Sequence, residues 1–199
     1  MTSVLSRAGF IRRGGGAVLA VSGASMAGLV APALGAAPPD TDLAYLRLLV
    51  GVELLAIDFQ TQALAAAQLP AAATALMTQT VADEKAHYAG IAELLTAAGQ
   101  VPATSDDIDF SYPDGSFASA KSILKLAWTL ETLSAGAYLG AVENVQTPAY
   151  RLPIGQIAAC EAQHLSGLAP SVGKPVVGHA FTPAWQIDAV SAALDTYES

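Results

Sequence analysis

The chain is short of cysteine, histidine, charge and aromatic residues. It has one Cys and three His, and of its 199 residues only 13% are charged and 7% aromatic. Each shortage excludes something. A single cysteine, Cys160, excludes an intrachain disulfide, so the fold must be held by its core. Sparse charge beside 53% hydrophobic residues excludes a disordered chain. Few aromatics in an alanine-rich sequence favour close-packed helices over sheets. Basic residues are scarce too: nine Lys and Arg face 17 Asp and Glu, for a net charge of −8. An acidic surface repels phosphate, which argues against nucleic acid or anionic membrane as partners, and it attracts cations.

Three of the basic residues, Arg7, Arg12 and Arg13, lie in the first 36 positions, which hold no acid. There an arginine-bearing stretch precedes a long Gly- and Ser-rich apolar run and then small residues, the order of an export signal. Ser6-Arg7-Ala8-Gly9-Phe10-Ile11-Arg12 resembles the twin-arginine consensus, with Ala8 in place of the second arginine; Sec export is the rival route. An uncleaved anchor is long enough between Ala17 and Ala36, but Gly, Ser and Pro32 suit it poorly. Cleavage is expected near Ala33 to Ala37, and no cysteine follows to carry a lipid. Without those arginines six basic residues face 17 acidic ones, a net charge of −11.

Residues 40–199 read as helices. Asp40-Thr41-Asp42 can cap a first helix running to about Gln68, with apolar residues at Leu46, Leu49, Val50, Ile57 and Leu64 in helical spacing. Pro70 opens a second helix, stopped by Gly99. About 20 residues without helical period follow, and their Asp106, Asp107, Asp109 and Asp114 do not have the spacing of an EF-hand, so they read as a solvated turn. Ser119 caps a third helix to about Gln146. Pro148 and Pro153 punctuate the link to a fourth, from about Pro153 to Leu168. Thr182-Pro183 starts a short last helix ending near Tyr197. Two helix pairs joined by a long middle connection predict an all-α four-helix bundle with a crossover between helices 2 and 3.

Within this charge-poor chain, Glu-x-x-His occurs twice: Glu84-Lys85-Ala86-His87 and Glu161-Ala162-Gln163-His164. Seven Glu and three His would give about 0.1 such pairs by chance counting. On a helix, positions three apart share a face, so each motif presents a carboxylate beside an imidazole. Upstream by 31 and 30 residues stand Glu53 and Glu131, each in apolar surroundings and on an inward stripe. Four carboxylates buried in one core each cost several kcal/mol unless cations compensate them. Two divalent ions held by Glu53, Glu84, His87, Glu131, Glu161 and His164 solve that problem. This donor set is similar to that of ferritin-like di-iron bundles.

The likeness extends beyond the ligands. "VELLAIDFQTQAL", "ETLSAGAYLGAVENVQTPAYRLPIGQIAACEAQHLSGLAP" and the tail "TPAWQIDAVSAALDTY" resemble the secreted ferritin-like domain family, which includes plant desiccation-related proteins. The resemblance covers about residues 43–197 and implies the same six residues as metal ligands. Gln60 departs from it: after the residue matching Phe59, relatives often have an aromatic.

Around that site, Tyr138 shares a face with Glu131, and core packing competes with a place beside the metal or a redox role. Cys160 reads as a buried small hydrophobe, with a thiol near the metal as the alternative. His179 has no partner pattern. Two functions follow. The first is an exported enzyme of the periplasm, envelope or extracellular space: two iron ions, or manganese, would oxidise Fe²⁺ or reduce O₂ or peroxide in stress protection. The second is a non-enzymatic, metal-stabilised desiccation bundle. Expected partners are metal ions, O₂ or peroxide and the export machinery; a homodimer is compatible with the sequence.

Overall fold

The computed structural model describes residues 37–178 and 180–199. The expected export signal at 1–36 lies outside the described residues, as does His179. Five α-helices carry the fold: α1 (Asp40–Ala65), α2 (Ala71–Ala97), α3 (Ala120–Asn144), α4 (Pro148–Leu168) and α5 (Ile187–Asp195), with a 3-10 turn at Ala169–Val172. Among the described residues the only β pairing is one antiparallel bridge, Phe110 to Glu198. No described helix is long and apolar enough to cross a membrane.

Local chemistry sets most helix ends. Ser119 caps α3 by accepting from Ser122 N, and the Ser122 hydroxyl returns a bond from Ser119 N, a capping box with Ser in the third position. At the end of α2, Gly99 takes φ +74°, and Gln100 N and Gly99 N donate to Leu95 O and Thr96 O. That double bond pattern needs a left-handed residue, which glycine supplies without a Cβ penalty.

Three boundaries differ from those read in the sequence. Pro39, not an aspartate, precedes the first turn of α1. Asp42 is instead fully buried, and its carboxylate accepts from Gln146 N and Thr147 N at 2.9 and 2.7 Å, clamping the start of α1 to the α3–α4 turn. The α4 helix begins at Pro148, five residues before Pro153. Pro148 fills the first position, where a missing N–H costs nothing, and Pro153 costs only one bond in the second turn. Finally, α5 starts at Ile187 rather than after Thr182. Trp185 is outside any helix, and its N–H donates to Gly136 O of α3.

Side-chain pairs fix the helix directions. Glu53 and Gln60 of α1 meet Tyr138 and Glu131 of α3, and Asp42 at the start of α1 meets Thr147 just beyond the end of α3, so the two run antiparallel. Along α2, Glu84 and His87 meet His164 and Glu161 of α4, again antiparallel. Short links at 66–70 and 145–147 make α1/α2 and α3/α4 antiparallel pairs. Helices α2 and α3 must then run parallel, and a parallel return needs a connection as long as the bundle. Residues 98–119 provide it: a 27-residue helix is about 40 Å long. The crossover packs on α1, where the Tyr112 hydroxyl donates to Asp58 at 2.8 Å and its ring lies 5.6 Å from Phe59. Its acidic stretch forms a turn, Asp107 accepting from Thr104 N and Oγ1.

Helix α1 is therefore covered on several sides. From Leu43 to Ala56 all but Ala44 and Arg47 are buried. The stripe expected through Ile57 and Leu64 is only half-buried, whereas Phe59, Gln60 and Ala63 are inside. In a helix apolar nearly all round, apolar spacing no longer marks one face.

Candidate metal centre

The six residues singled out by spacing converge in the middle of the bundle. Glu53, Glu84, Glu131 and Glu161 are at most 3% exposed, and His87 and His164 are 9% and 5% exposed. Each of the four long helices contributes: Glu53 from α1, Glu84 and His87 from α2, Glu131 from α3, Glu161 and His164 from α4. Because α2 and α4 are antiparallel, their two Glu-x-x-His motifs are read in opposite directions. His87 therefore lies against Glu161, its Nδ1 3.0 Å from Oε1, and His164 lies against Glu84, its Nδ1 3.2 Å from Oε1. The imidazoles stack with centroids 6.0 Å apart.

Two overlapping groups result. Glu53, Glu84, Glu161 and His87 form one; Glu131, Glu84, Glu161 and His164 form the other. Within each, one donor atom per residue lies within 4.8 Å of the rest, and Glu84 and Glu161 belong to both.

Residues around the cluster hold it in place. Tyr138, fully buried, donates its hydroxyl to Glu53 Oε1. Gln60 donates its amide to Glu131 Oε1 at 2.9 Å and to Glu84 Oε1 at 3.3 Å, and its own oxygen accepts from Thr80 at 3.0 Å. Asp83 Oδ2 lies 3.3 Å from His164 Nε2, the nitrogen that faces away from the cluster. Gln60, Thr80 and Asp83 were not among the expected site residues. Gln60 carried a signal, since it breaks the aromatic habit of the family, and Asp83 directly precedes Glu84. Cys160 is half-buried rather than buried, with Sγ 3.5 Å from His164 Nε2.

Glu53 Oε2, Glu131 Oε2, both Glu161 oxygens and His164 Nδ1 are buried without a well-aligned hydrogen bond; what they face, at 3.0–3.8 Å, is an imidazole nitrogen or, for His164 Nδ1, carboxylate oxygens of the same cluster. A buried acceptor without a donor costs about 1–3 kcal/mol, and more if charged. Their common direction, toward one another, is what a cation would satisfy. Carboxylates with neutral imidazoles suit iron, manganese or zinc, so the residues fit a metal site and are compatible with a dimetal one.

Electrostatics agree. Burial first, then the charges on Glu84 and Glu161, holds the Glu53 carboxyl well above its usual range. Burial likewise raises Glu131, against the His164 hydrogen bond, with the same two charges adding to it. Burial would raise Glu84 as well, but hydrogen bonds from His164 and His87 outweigh it and bring Glu84 down to about 2. Burial would lower His87, yet Glu161 and Glu84 raise it to about 10. His164 rises in the same way against Glu131, Glu161 and Glu84. Without metal, then, protons stand in for the missing positive charge.

Residues 41–174 match the family model of the ferritin-like domain. The chain belongs to the ferritin-like domain family. No curated protein is similar enough to count as a match. The ferritin-like match spans α1 through α4 and includes all six clustered residues; the tail with α5 lies beyond it.

Proposed function

We propose that this ferritin-like protein binds two iron ions, manganese being the alternative, and that it acts after export as an iron-oxidising or peroxide-reducing protein in stress protection. One observation carries the reading. Glu53 and Glu131 each have Oε1 held by a neutral donor, Tyr138 or Gln60, and turn a buried Oε2 toward a cluster imidazole, His87 at 3.8 Å and His164 at 3.3 Å. A carboxylate held this way is aimed at a cation and cannot turn away from it. The expectation of export rests on residues 1–36 of the sequence alone.

Two ferrous ions, when bound, supply two electrons, enough with two protons to reduce one peroxide to two waters. The chain's residues do the rest. Glu84 and Glu161 reach both positions and can hold both ions together. Glu53 and His87 serve one position, Glu131 and His164 the other. With a proton on Nε2 directed to Asp83, His164 keeps the lone pair of Nδ1 for the site, the usual carboxylate–histidine arrangement. The six side chains are at most 9% exposed, so their charges act on one another in a low dielectric.

The test is aerobic Fe²⁺ addition to purified mature protein, with metal analysis and near-ultraviolet absorbance. About two ions per chain and oxidation faster than in buffer are expected, and both should be lost in His87→Ala/His164→Ala. Unchanged stoichiometry in that double variant would sink the dimetal reading. Two ions without oxidation would favour the metal-stabilised bundle instead.

A further inference from the structure

The arrangement around His164 uses Asp83 and leaves Cys160 without a role. Cys160 and His164 are four apart on α4 and share its face. Their Sγ and Nε2 are 3.5 Å apart, and Asp83 Oδ2, from α2, is 3.3 Å from the same nitrogen. The three donors lie within 4.8 Å of one another, on the outer side of His164. Nε2 can share its one N–H between the carboxylate and the sulfur or, when bare, accept from the thiol.

Each separation is that of a hydrogen bond, and the two together also fit one shared ion. A tetrahedral ion with metal–sulfur near 2.3 Å and metal–nitrogen and metal–oxygen near 2.0–2.1 Å places sulfur and nitrogen about 3.5 Å apart, and nitrogen and oxygen about 3.3 Å apart. The observed edges are 3.5 and 3.3 Å. Asp83 is also oriented to be a ligand, since Gln79 donates to its Oδ1 at 2.9 Å and leaves Oδ2 toward His164. Unlike the core cluster, this group can be reached. Asp83 and Cys160 are partly exposed, the Asp83 side chain by 31%.

We infer that Asp83, Cys160 and His164 Nε2 form a second, outer metal site for one thiophilic divalent cation of the zinc or cadmium class, with water completing a tetrahedron. Sulfur, nitrogen and one oxygen select such a cation over the oxygen-rich core, which suits iron or manganese. Binding displaces the thiol proton to solvent, and the sulfur becomes a thiolate ligand. His164 serves one side at a time, because its neutral ring has one bare nitrogen. With an ion on Nε2, the proton moves to Nδ1, where Glu84, Glu131 and Glu161 lie within 3.2–3.6 Å to accept it. The site borrows His164 from the dimetal reading but needs none of its ions.

Cys160 is the only cysteine, so any thiolate-to-metal charge-transfer band reports this site alone. Cd²⁺ titration of the mature protein should give a saturable ultraviolet band at one ion per chain. The band should vanish in Cys160→Ser and need roughly tenfold or more Cd²⁺ in Asp83→Asn. It should persist in Glu53→Gln/Glu131→Gln, which disables the core pair, so the two readings fail separately. Zn²⁺ should slow alkylation of Cys160 by iodoacetamide in the wild type, and Asp83→Asn should need roughly tenfold or more Zn²⁺ for the same protection. No band, a band at one ion per two chains, or equal affinity in wild type and Asp83→Asn would each overturn the site.

Discussion

Glu53 and Glu131 are held as counterparts across the bundle. Each offers Oε1 to a neutral donor, Tyr138 in one case and Gln60 in the other, and each turns a buried Oε2 toward an imidazole of the cluster, His87 or His164. Two elements that are distant in sequence thus present the same half-satisfied carboxylate to the same interior. Tyr138 reaches Glu53 from α3, and Gln60 reaches Glu131 from α1, so the pair also ties these helices together.

Replacing both glutamates by Gln tests what that costs. Gln keeps an oxygen for Tyr138 and for Gln60 but cannot ionise. Both carboxyls have folded pKa values raised by burial and by Glu84 and Glu161. Glu53→Gln/Glu131→Gln should therefore raise the melting temperature of metal-free protein near neutral pH and abolish stabilisation by Fe²⁺ or Mn²⁺. Thermal melts with chelator and with metal decide it; identical melts for variant and wild type in both conditions would show that the two residues share no site.

Gln60→Leu is the complementary change. It removes the donors to Glu131 and Glu84 in a position only 3% exposed. Metal-free protein should lose about 1–3 kcal/mol in denaturant unfolding. Metal should recover part of the loss, since a cation can replace the missing donors. A variant as stable as wild type without metal would mean that the amide does not hold the cluster.

The histidines set the pH dependence. His87 is raised to about 10 in the folded state, from an unfolded value near 6.5. A raised folded pKa contributes stability that is complete below the unfolded value and is lost as pH rises toward the folded one. Glu53 and Glu131, also raised, act with the same sign. Metal-free protein should thus lose stability as pH rises, from about 4.5 upward for the two glutamates and from about 6.5 upward for His87, by up to about 1.4 kcal/mol per pH unit for each titrating group. Metal ligation needs a neutral imidazole, so binding should release protons, and affinity should increase with pH. Unfolding at pH 6–9 in chelator, with calorimetric metal titrations in buffers of different ionisation heat, would measure both. Metal-free stability that rises over this range would contradict the assignment.

The tail offers a test remote from the site. Gly136 and Gly140 let the Trp185 segment lie directly on α3. A Cβ at Gly140 would collide with the Trp185 backbone oxygen, and one at Gly136 would sit 2.7 Å from its ring. Backbone cannot rotate aside as a ring can. Gly140→Ala should cost about 1–3 kcal/mol and exceed Gly136→Ala, with metal stoichiometry unchanged in both. Equal melting temperatures for the two variants and wild type would place the tail elsewhere.

The sequence by itself determined the class of fold and pointed to the six residues that cluster in the candidate site. Repeated Glu-x-x-His, each motif preceded about 30 residues earlier by a Glu in apolar surroundings, is a pattern of short-range helical geometry, and helical geometry is legible from spacing. Gly99 and Ser119 were legible for the same reason: a stop and a cap act on their own turn. What only the tertiary structure decided is which residues meet across helices. Spacing cannot say that Gln60 of α1 touches Glu131 of α3, that Asp83 and Cys160 share one nitrogen of His164, or that Asp42 clamps a turn more than 100 residues away. Nor could it place the start of α5, because Trp185 bonds to Gly136 of another helix. Such contacts depend on the direction and register of packed helices, which arise from burying all faces at once and leave no local mark in the chain.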